Sequence, residues 1–255
     1  MDNGPRTTGG ITSETQFNIR GEAVTPDKRA DVAMPGIPGG WATREVAVGG
    51  RRVRLTLPAD PDAFLDDPAV HAAHDRTGYM PYWPYLWPAA ISMAQLVLDA
   101  PWPPGADVLE VGAGVGLVGL AALARGDRVT FNDYQADAVE IALYNALQNG
   151  YPARGACFDW KHPPAERYRV ILGCDVVYDV ANHGPLLRLL DRMLTKDGIA
   201  WFGDPCRERG DRFIVAAKRE GFAVDVADDR RCPLEDPAAG RFQLIQLSRD
   251  GRRPW

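Results

Sequence analysis

Ala106-Asp-Val-Leu-Glu-Val-Gly-Ala-Gly-Val-Gly-Leu-Val-Gly119, continued by Leu-Ala-Ala-Leu123, is the stretch on which the fold turns. It opens as a short apolar, β-branched run and closes as a run of good helix formers. Gly112, Gly114 and Gly116 join the two at every second position. A strand that turns through glycines into a helix leaves the N–H groups at the helix start without internal partners. With no Cβ atoms in the way, a ligand can come close to that backbone. The stretch predicts a nucleotide-type cofactor cradle in an α/β fold.

Two cofactor readings compete. From Gly114 the chain matches the dinucleotide fingerprint G-x-G-x-x-G through Gly116 and Gly119. From Glu110 it reads Glu-x-Gly-x-Gly-x-Gly. In a dinucleotide fold the first glycine follows the strand directly. That glycine is Gly112, and the third fingerprint position then falls on Leu117. The carboxylate of Glu110, near the strand's end, also suits a ligand ammonium better than a pyrophosphate.

The composition sets wider bounds. The 255 residues are 45% hydrophobic and 25% charged, as expected of one soluble domain with a full three-layer core. A net charge of −5 argues against a nucleic-acid-binding surface. Cys157, Cys174, Cys206 and Cys232 lack C-x-x-C spacing and read as reduced thiols of a cytoplasmic protein. His71 and His74 are the only closely spaced histidines, and both are expected to face solvent, so no metal is implied. No stretch is apolar enough to span a membrane, and the N-terminus lacks a signal sequence.

Residues 1–40, rich in Gly, Pro, Thr and charge, are expected to form a mobile N-terminal segment ahead of a single domain over 41–255. A β-hairpin (41–58) comes first, with strands Thr43–Val48 and Arg51–Leu57 around Gly49-Gly50. It is either a structural ornament or part of a substrate platform. The core spans about 78–250. It begins with Met80-Pro-Tyr-Trp-Pro-Tyr-Leu-Trp-Pro88, whose aromatic rings could hold a cation or simply pack the following helix, Ala89–Leu98. Trp87 is assigned to the site; Tyr82 and Trp83 stay open.

Downstream, strands and helices alternate. Strand Arg128–Phe131 ends at Asn132-Asp133-Tyr134. Asp133 lies 21 residues beyond Gly112, where an acid can accept from ribose hydroxyls, whether of NAD or another adenosine ligand. Helix Gln135–Gln148 stops at Asn149-Gly150. Strand Gly155–Phe158 ends at Asp159-Trp160, which could receive an adenine, or Asp159 could only cap the next turn. Tyr168–Cys174 is a continuous apolar run, as a central parallel strand should be, and leads into Asp175-Val-Val-Tyr178. Ligands bind outside the carboxyl ends of such strands, so Asp175 and Tyr178 should share the crevice with the glycines. Helix Gly184–Leu194, closed by Lys196-Asp197-Gly198, precedes strand Ile199–Gly203 and then Asp204-Pro205. Helix Arg212–Glu220 and strands Phe222–Val226 and Phe242–Leu247 follow, the strands read as a terminal antiparallel pair joined by a surface loop over 227–240.

With these residues placed, the chain resembles the class I, seven-strand methyltransferases that use S-adenosyl-L-methionine (SAM). More narrowly it resembles methyltransferase family sixteen, which contains many protein-lysine methyltransferases. Trp87-Pro88, Glu110 to Gly116, Asp159-Trp160 and Asp175-Val-Val-Tyr178 carry the resemblance. Pro81-Tyr82-Trp83 and Gly203-Asp204-Pro205 look most like the branch acting on lysines of the electron transfer flavoprotein beta subunit. Ala89-Ala90 stands where that branch has a glycine pair and Cys206 where it has a glycine, and the hairpin is extra.

The resemblance implies a three-layer Rossmann-like sheet, mostly parallel with an antiparallel last strand. It implies that Glu110, Gly112, Gly114 and Gly116 hold the aminoacyl end of SAM, later S-adenosyl-L-homocysteine. Asp133 would take the ribose, Asp159 and Trp160 the adenine, with Tyr134 and Cys174 also in contact, and Trp87 would close over the methionine portion. Asp175 and Tyr178 would shape the acceptor pocket, Tyr178 orienting an amine, with Asp204 at the rim to hold or receive its proton. The expected acceptor is a lysine of a protein substrate, met by a monomer without metal, nucleic acid or membrane. A small amine or N-heterocycle, a non-catalytic SAM-binding role and, more distantly, a nicotinamide oxidoreductase are the alternatives.

Overall fold

The computed structural model describes residues 18–19, 23–25, 34, 36–77, 80–206, 208–235, 240–249 and 251. Most of the expected mobile segment, residues 1–40, lies outside them. Within it, strand β1 (Asn18–Ile19) is described, and Val24 pairs with Ala153. Gly49 and Gly50 have φ of 53° and 76°, the two positive values a type I′ turn needs, and they join β2 (Trp41–Val48) to β3 (Arg51–Pro58). Two short helices, α1 (Pro61–Leu65) and α2 (Pro68–Thr77), follow. Pro88 occupies the first turn of α3 (Pro88–Leu98), where its missing N–H costs nothing.

The alternating part then runs β4 (Asp107–Val111), α4 (Leu117–Ala124), β5 (Arg128–Asp133), α5 (Ala136–Gln148) and β6 (Arg154–Cys157). It continues with β7 (Tyr168–Cys174), α6 (His183–Met193), β8 (Leu194–Asp204), α7 (Glu208–Arg219), β9 (Ala223–Ala227) and β10 (Gln243–Ser248). The sheet order is β1-β6-β5-β4-β7-β8-β10-β9. Strands β4 to β8 pair in parallel, and β10 runs antiparallel to both β8 and β9. This is the expected seven-strand sheet, extended at one edge by β1, which pairs antiparallel with β6.

The expected terminal antiparallel pair is present: β9 and β10 run antiparallel along their lengths. β10 also inserts between β8 and β9, because α7 carries the chain to the sheet edge before β10 returns inward. One expectation needs correction: Lys196-Asp197-Gly198 does not lie outside the strands. It falls inside β8, where the pairing with β7 shifts register, and a Cβ on Gly198 would stand 2.8 Å from the Arg169 carbonyl.

Side chains alternate across the sheet with period two. Val108, Val170, Leu172 and Trp201 pack in one cluster with α3, α4 and α5, while Leu109, Ile171 and Phe202 pack in another with α6 and α7. Both faces are therefore covered, and the strand order reverses between β4 and β7. A crevice opens at that switch point, outside the strands' carboxyl ends. Among the described residues no helix is long and apolar enough to cross a membrane, and no cluster of His, Cys, Asp and Glu could hold a metal ion.

Candidate active site

At the switch point lies a cavity of about 320 Å³. Its floor is the turn from β4 into α4. Gly112 has φ 62°, and a Cβ there would stand 2.6 Å from Val176 Cγ1. Gly114 has φ 51°, and its Cβ would meet the Trp83 carbonyl oxygen at 3.1 Å. Both therefore need the left-handed region and the empty space that only glycine accepts. Gly116 differs from the expectation. It does not line the cavity but starts α4 at φ 82°, with Ala142 and Phe131 close enough to block any side chain.

Glu110 is buried beneath this turn. Its Oε2 accepts the Gly119 N–H at 2.8 Å, so the carboxylate meets the open end of α4 from inside the sheet. Burial pushes its pKa up to about 8 against that bond, and the charge of Asp133 adds to the rise. Asp133, at the end of β5, accepts from Gly114 N at 3.1 Å and Gln135 N at 3.1 Å. Burial raises its pKa as well. A carboxylate has about four lone-pair sites, so Asp133 keeps acceptor capacity on the cavity side beyond its backbone bonds. Asn132 beside it is fully buried; its Nδ2 donates to the carbonyls of Ala156 and Phe158, and its Oδ1 accepts from Trp160 Nε1 at 2.9 Å. That bond stands the Trp160 ring against Gly112. Asp159 does cap the next turn, accepting Lys161 N at 2.9 Å, yet it also lines the cavity, as Tyr134 does.

The opposite wall comes from β7. Asp175 follows the strand at φ 54°, a left-handed conformation that Asp tolerates better than most side chains. Its N–H donates to the Gly203 carbonyl at 2.9 Å. The loop is tied further on: the buried His183 donates from Nε2 to the Val177 carbonyl at 2.8 Å, and Arg209 donates to that of Tyr178 at 3.1 Å. Asp175 and Tyr178 both line the cavity, with Asp179 and Asn182 beyond them. Cys174 is half-buried there, its thiol held protonated by burial and by the charges of Asp175, Glu110 and Asp204.

Asp204 is not at the rim. It is 0% exposed, accepts Gln243 Nε2 at 3.0 Å, and is absent from the cavity wall, because β10 closes over the end of β8.

Aromatic rings form the remaining side. Trp87, half-buried, lines the cavity with Tyr82, Trp83 and Tyr85. Trp83 is buried against Phe64 (5.3 Å between centroids) and Trp41 (6.3 Å), so its ring packs α1 and β2 and not the following helix, while its backbone abuts Gly114. Tyr82 is 39% exposed, at the cavity's outer lip. Tyr85, which sequence reasoning passed over, donates its hydroxyl to Asp62, a bond that pushes its pKa up to about 12. Nothing in its proline-interrupted surroundings separated it from its neighbours.

A family model described as lysine methyltransferase matches residues 85–219, which contain all the site residues named above except Tyr82 and Trp83. The chain belongs to this lysine methyltransferase family. It is 30% identical to a histidine protein methyltransferase 1 homolog of Dictyostelium discoideum over 44% of its length, spanning only 40% of that relative. It is 29% identical to the histone-arginine methyltransferase METTL23 of Rattus norvegicus, over 76% of this chain and 88% of that one. It is 30% identical to the protein N-lysine methyltransferase METTL21A of Danio rerio, over 54% and 68%. Among solved structures, a TehB-like SAM-dependent methyltransferase of Corynebacterium glutamicum shares the fold, with a TM-score of 0.52 at 21% identity, covering 70% of this chain and 96% of that one.

Proposed function

We propose that this methyltransferase moves a methyl group from SAM to a side-chain nitrogen of a protein, with lysine the favoured acceptor, as a cytoplasmic monomer that needs no metal or nucleic acid. One observation carries the reading: Asp175 and Tyr178 face the same cavity as the Gly112–Gly114 turn. Family membership and relatives named for lysine, arginine and histidine methylation support it.

The residues present fit the donor. Gly112 and Gly114 leave room that a Cβ would fill, and Glu110 offers a buried carboxylate for an ammonium. Asp133 would accept from ribose hydroxyls, with Asp159, Trp160, Tyr134 and Cys174 around the adenosine and Trp87 over the methionine portion. When bound, SAM supplies an electrophilic methyl group on a sulfonium, already a good leaving group. The protein's task is then alignment and desolvation of the acceptor. A lysine, with a reference pKa of about 10.4, arrives charged and must lose a proton to attack. The rings of Tyr82, Tyr85 and Trp87 favour the neutral amine by excluding water, Tyr178 orients it, and Asp175 accepts its proton.

The test begins with labelled SAM and a cell lysate, resolved into proteins and small molecules. Label in a protein band, on lysine after hydrolysis, is the expected result; label only in a small amine overturns the protein acceptor. Asp175→Asn should lower turnover by about a hundredfold with SAM affinity within twofold. Full turnover in both Asp175→Asn and Tyr178→Phe would remove these residues from the mechanism. Asp175 is the more decisive, since it is the residue assigned the proton.

A further inference from the structure

The N-terminal hairpin lies outside the alternating strand–helix core, yet it is bolted to the glycine turn. The bolt is Asn145, a fully buried amide on the apolar face of α5. Its Oδ1 accepts the Thr56 N–H at 2.8 Å, and its Nδ2 donates to the Thr56 carbonyl at 3.0 Å. The same Nδ2 gives its other hydrogen to the Val115 carbonyl at 2.8 Å. Val115 stands between Gly114 and Gly116, just ahead of α4, so its carbonyl has no place in the helix's own ladder. One turn on, Asn149 makes the same pair of bonds to the next accessible residue of β3: Arg54 N donates to its Oδ1 at 3.0 Å and its Nδ2 donates to Arg54 O at 2.7 Å. The two asparagines thus act as a substitute strand along β3, but among these bonds only those of Asn145 continue into the turn. At the hairpin's base a second contact runs the same way, from the Trp41 ring to Trp83, whose carbonyl abuts Gly114.

We propose that Asn145 is a positioning residue for the donor site, and that through it the hairpin holds the Gly112–Gly116 turn in its binding conformation. Gly114 and Gly116 have the widest backbone freedom of any residue type, so a loop built on them needs an outside hold to keep one shape. A preformed loop binds more tightly because less ordering is left to do on binding. The hairpin is then a strut for the donor cradle. This inference rests on the reading of that turn as the SAM site.

The experiment compares Asn145→Asp and Asn145→Ser with Asn149→Ala in the full chain. SAM binding is read by calorimetry, and backbone amide exchange at 112–118 is read without ligand. Asp keeps the shape of Asn145 but loses both donors; Ser is the second variant should Asp not fold. Both Asn145 variants should weaken SAM at least tenfold and speed exchange in the turn. Asn149→Ala, which cuts equivalent hairpin bonds without reaching Val115, should leave affinity within twofold. Equal affinity in a folded Asn145 variant overturns the inference, and so does equal weakening by Asn149→Ala. If the unaltered protein binds no SAM, the donor-site reading fails instead, and exchange in the turn alone decides whether Asn145 holds it.

Discussion

At the scale of single residues, the position most at odds with its surroundings is Glu110, a carboxyl 3% exposed in the sheet's interior. Its pKa stands at about 8 in the folded chain and at the ordinary carboxyl value when unfolded. The folded state therefore holds a proton that the unfolded state has released. Glu110's contribution to stability is complete in acid, below its unfolded pKa, and is lost as pH rises through about 8. A ligand ammonium beside it would favour the ionised form and expel that proton. Ligand-free protein should melt at falling temperature from pH 6 to 9, and Glu110→Gln should flatten that slope. SAM affinity, measured by calorimetry, should tighten between pH 6 and 7.5 in the unaltered protein and stay level in Glu110→Gln.

At the scale of elements, the site depends on how the carboxyl ends of neighbouring strands are tied. Asn132 stitches the end of β5 to β6 and to the following turn by three bonds, to Ala156 O, Phe158 O and Trp160 Nε1. Replacing it with an apolar side chain leaves buried carbonyls and an indole N–H unsatisfied, each costing about 1–3 kcal/mol. Asn132→Leu should lower stability by about 3 kcal/mol or more in urea unfolding. The same variant should free the Trp160 ring, seen as a red-shifted, more quenchable tryptophan emission. The tie between β7 and β8 works similarly: Asp175 N–H on Gly203 O holds the strained residue at the cavity wall.

At the scale of the whole molecule, the sheet is anchored far from the cavity by Trp201 and Trp102, both buried, their rings edge to face at 4.8 Å. Trp102 Nε1 donates to Asp127, which also accepts Ala106 N and pairs with the partly buried Arg125. This knot joins the loop before β4 to the loop before β5, at the strand ends opposite the site. Trp201→Ala should cost about 3–5 kcal/mol, a large share of the roughly 5–15 kcal/mol that holds a domain together. The expected result is a steep loss of folded protein in urea unfolding, while the fraction that stays folded binds SAM normally. A Trp201→Ala protein of unchanged stability would show that the knot is not what anchors the sheet.

The amino-acid sequence alone determined the alternating elements of the core and much of the cavity wall, but not β1. Period-two runs and glycine turns are local signals, so β4, β7 and the Gly112–Gly114 turn could be read directly, and ligand crevices form where such strands end. Asp133, Asp159, Trp160, Asp175 and Tyr178 were legible for that reason: Asp133 ends β5, and the others lie in the turns just past the ends of β6 and β7. Asp204 obeyed the same rule and failed it, because only the tertiary fold inserts β10 beside β8 and seals that strand's end. Asn145 had one faint mark, a polar residue on a buried helix stripe. Its partners, Thr56 and Val115, lie 89 and 30 residues away. Hydrogen bonds across such separations are set by packing, and no local pattern in the chain encodes them.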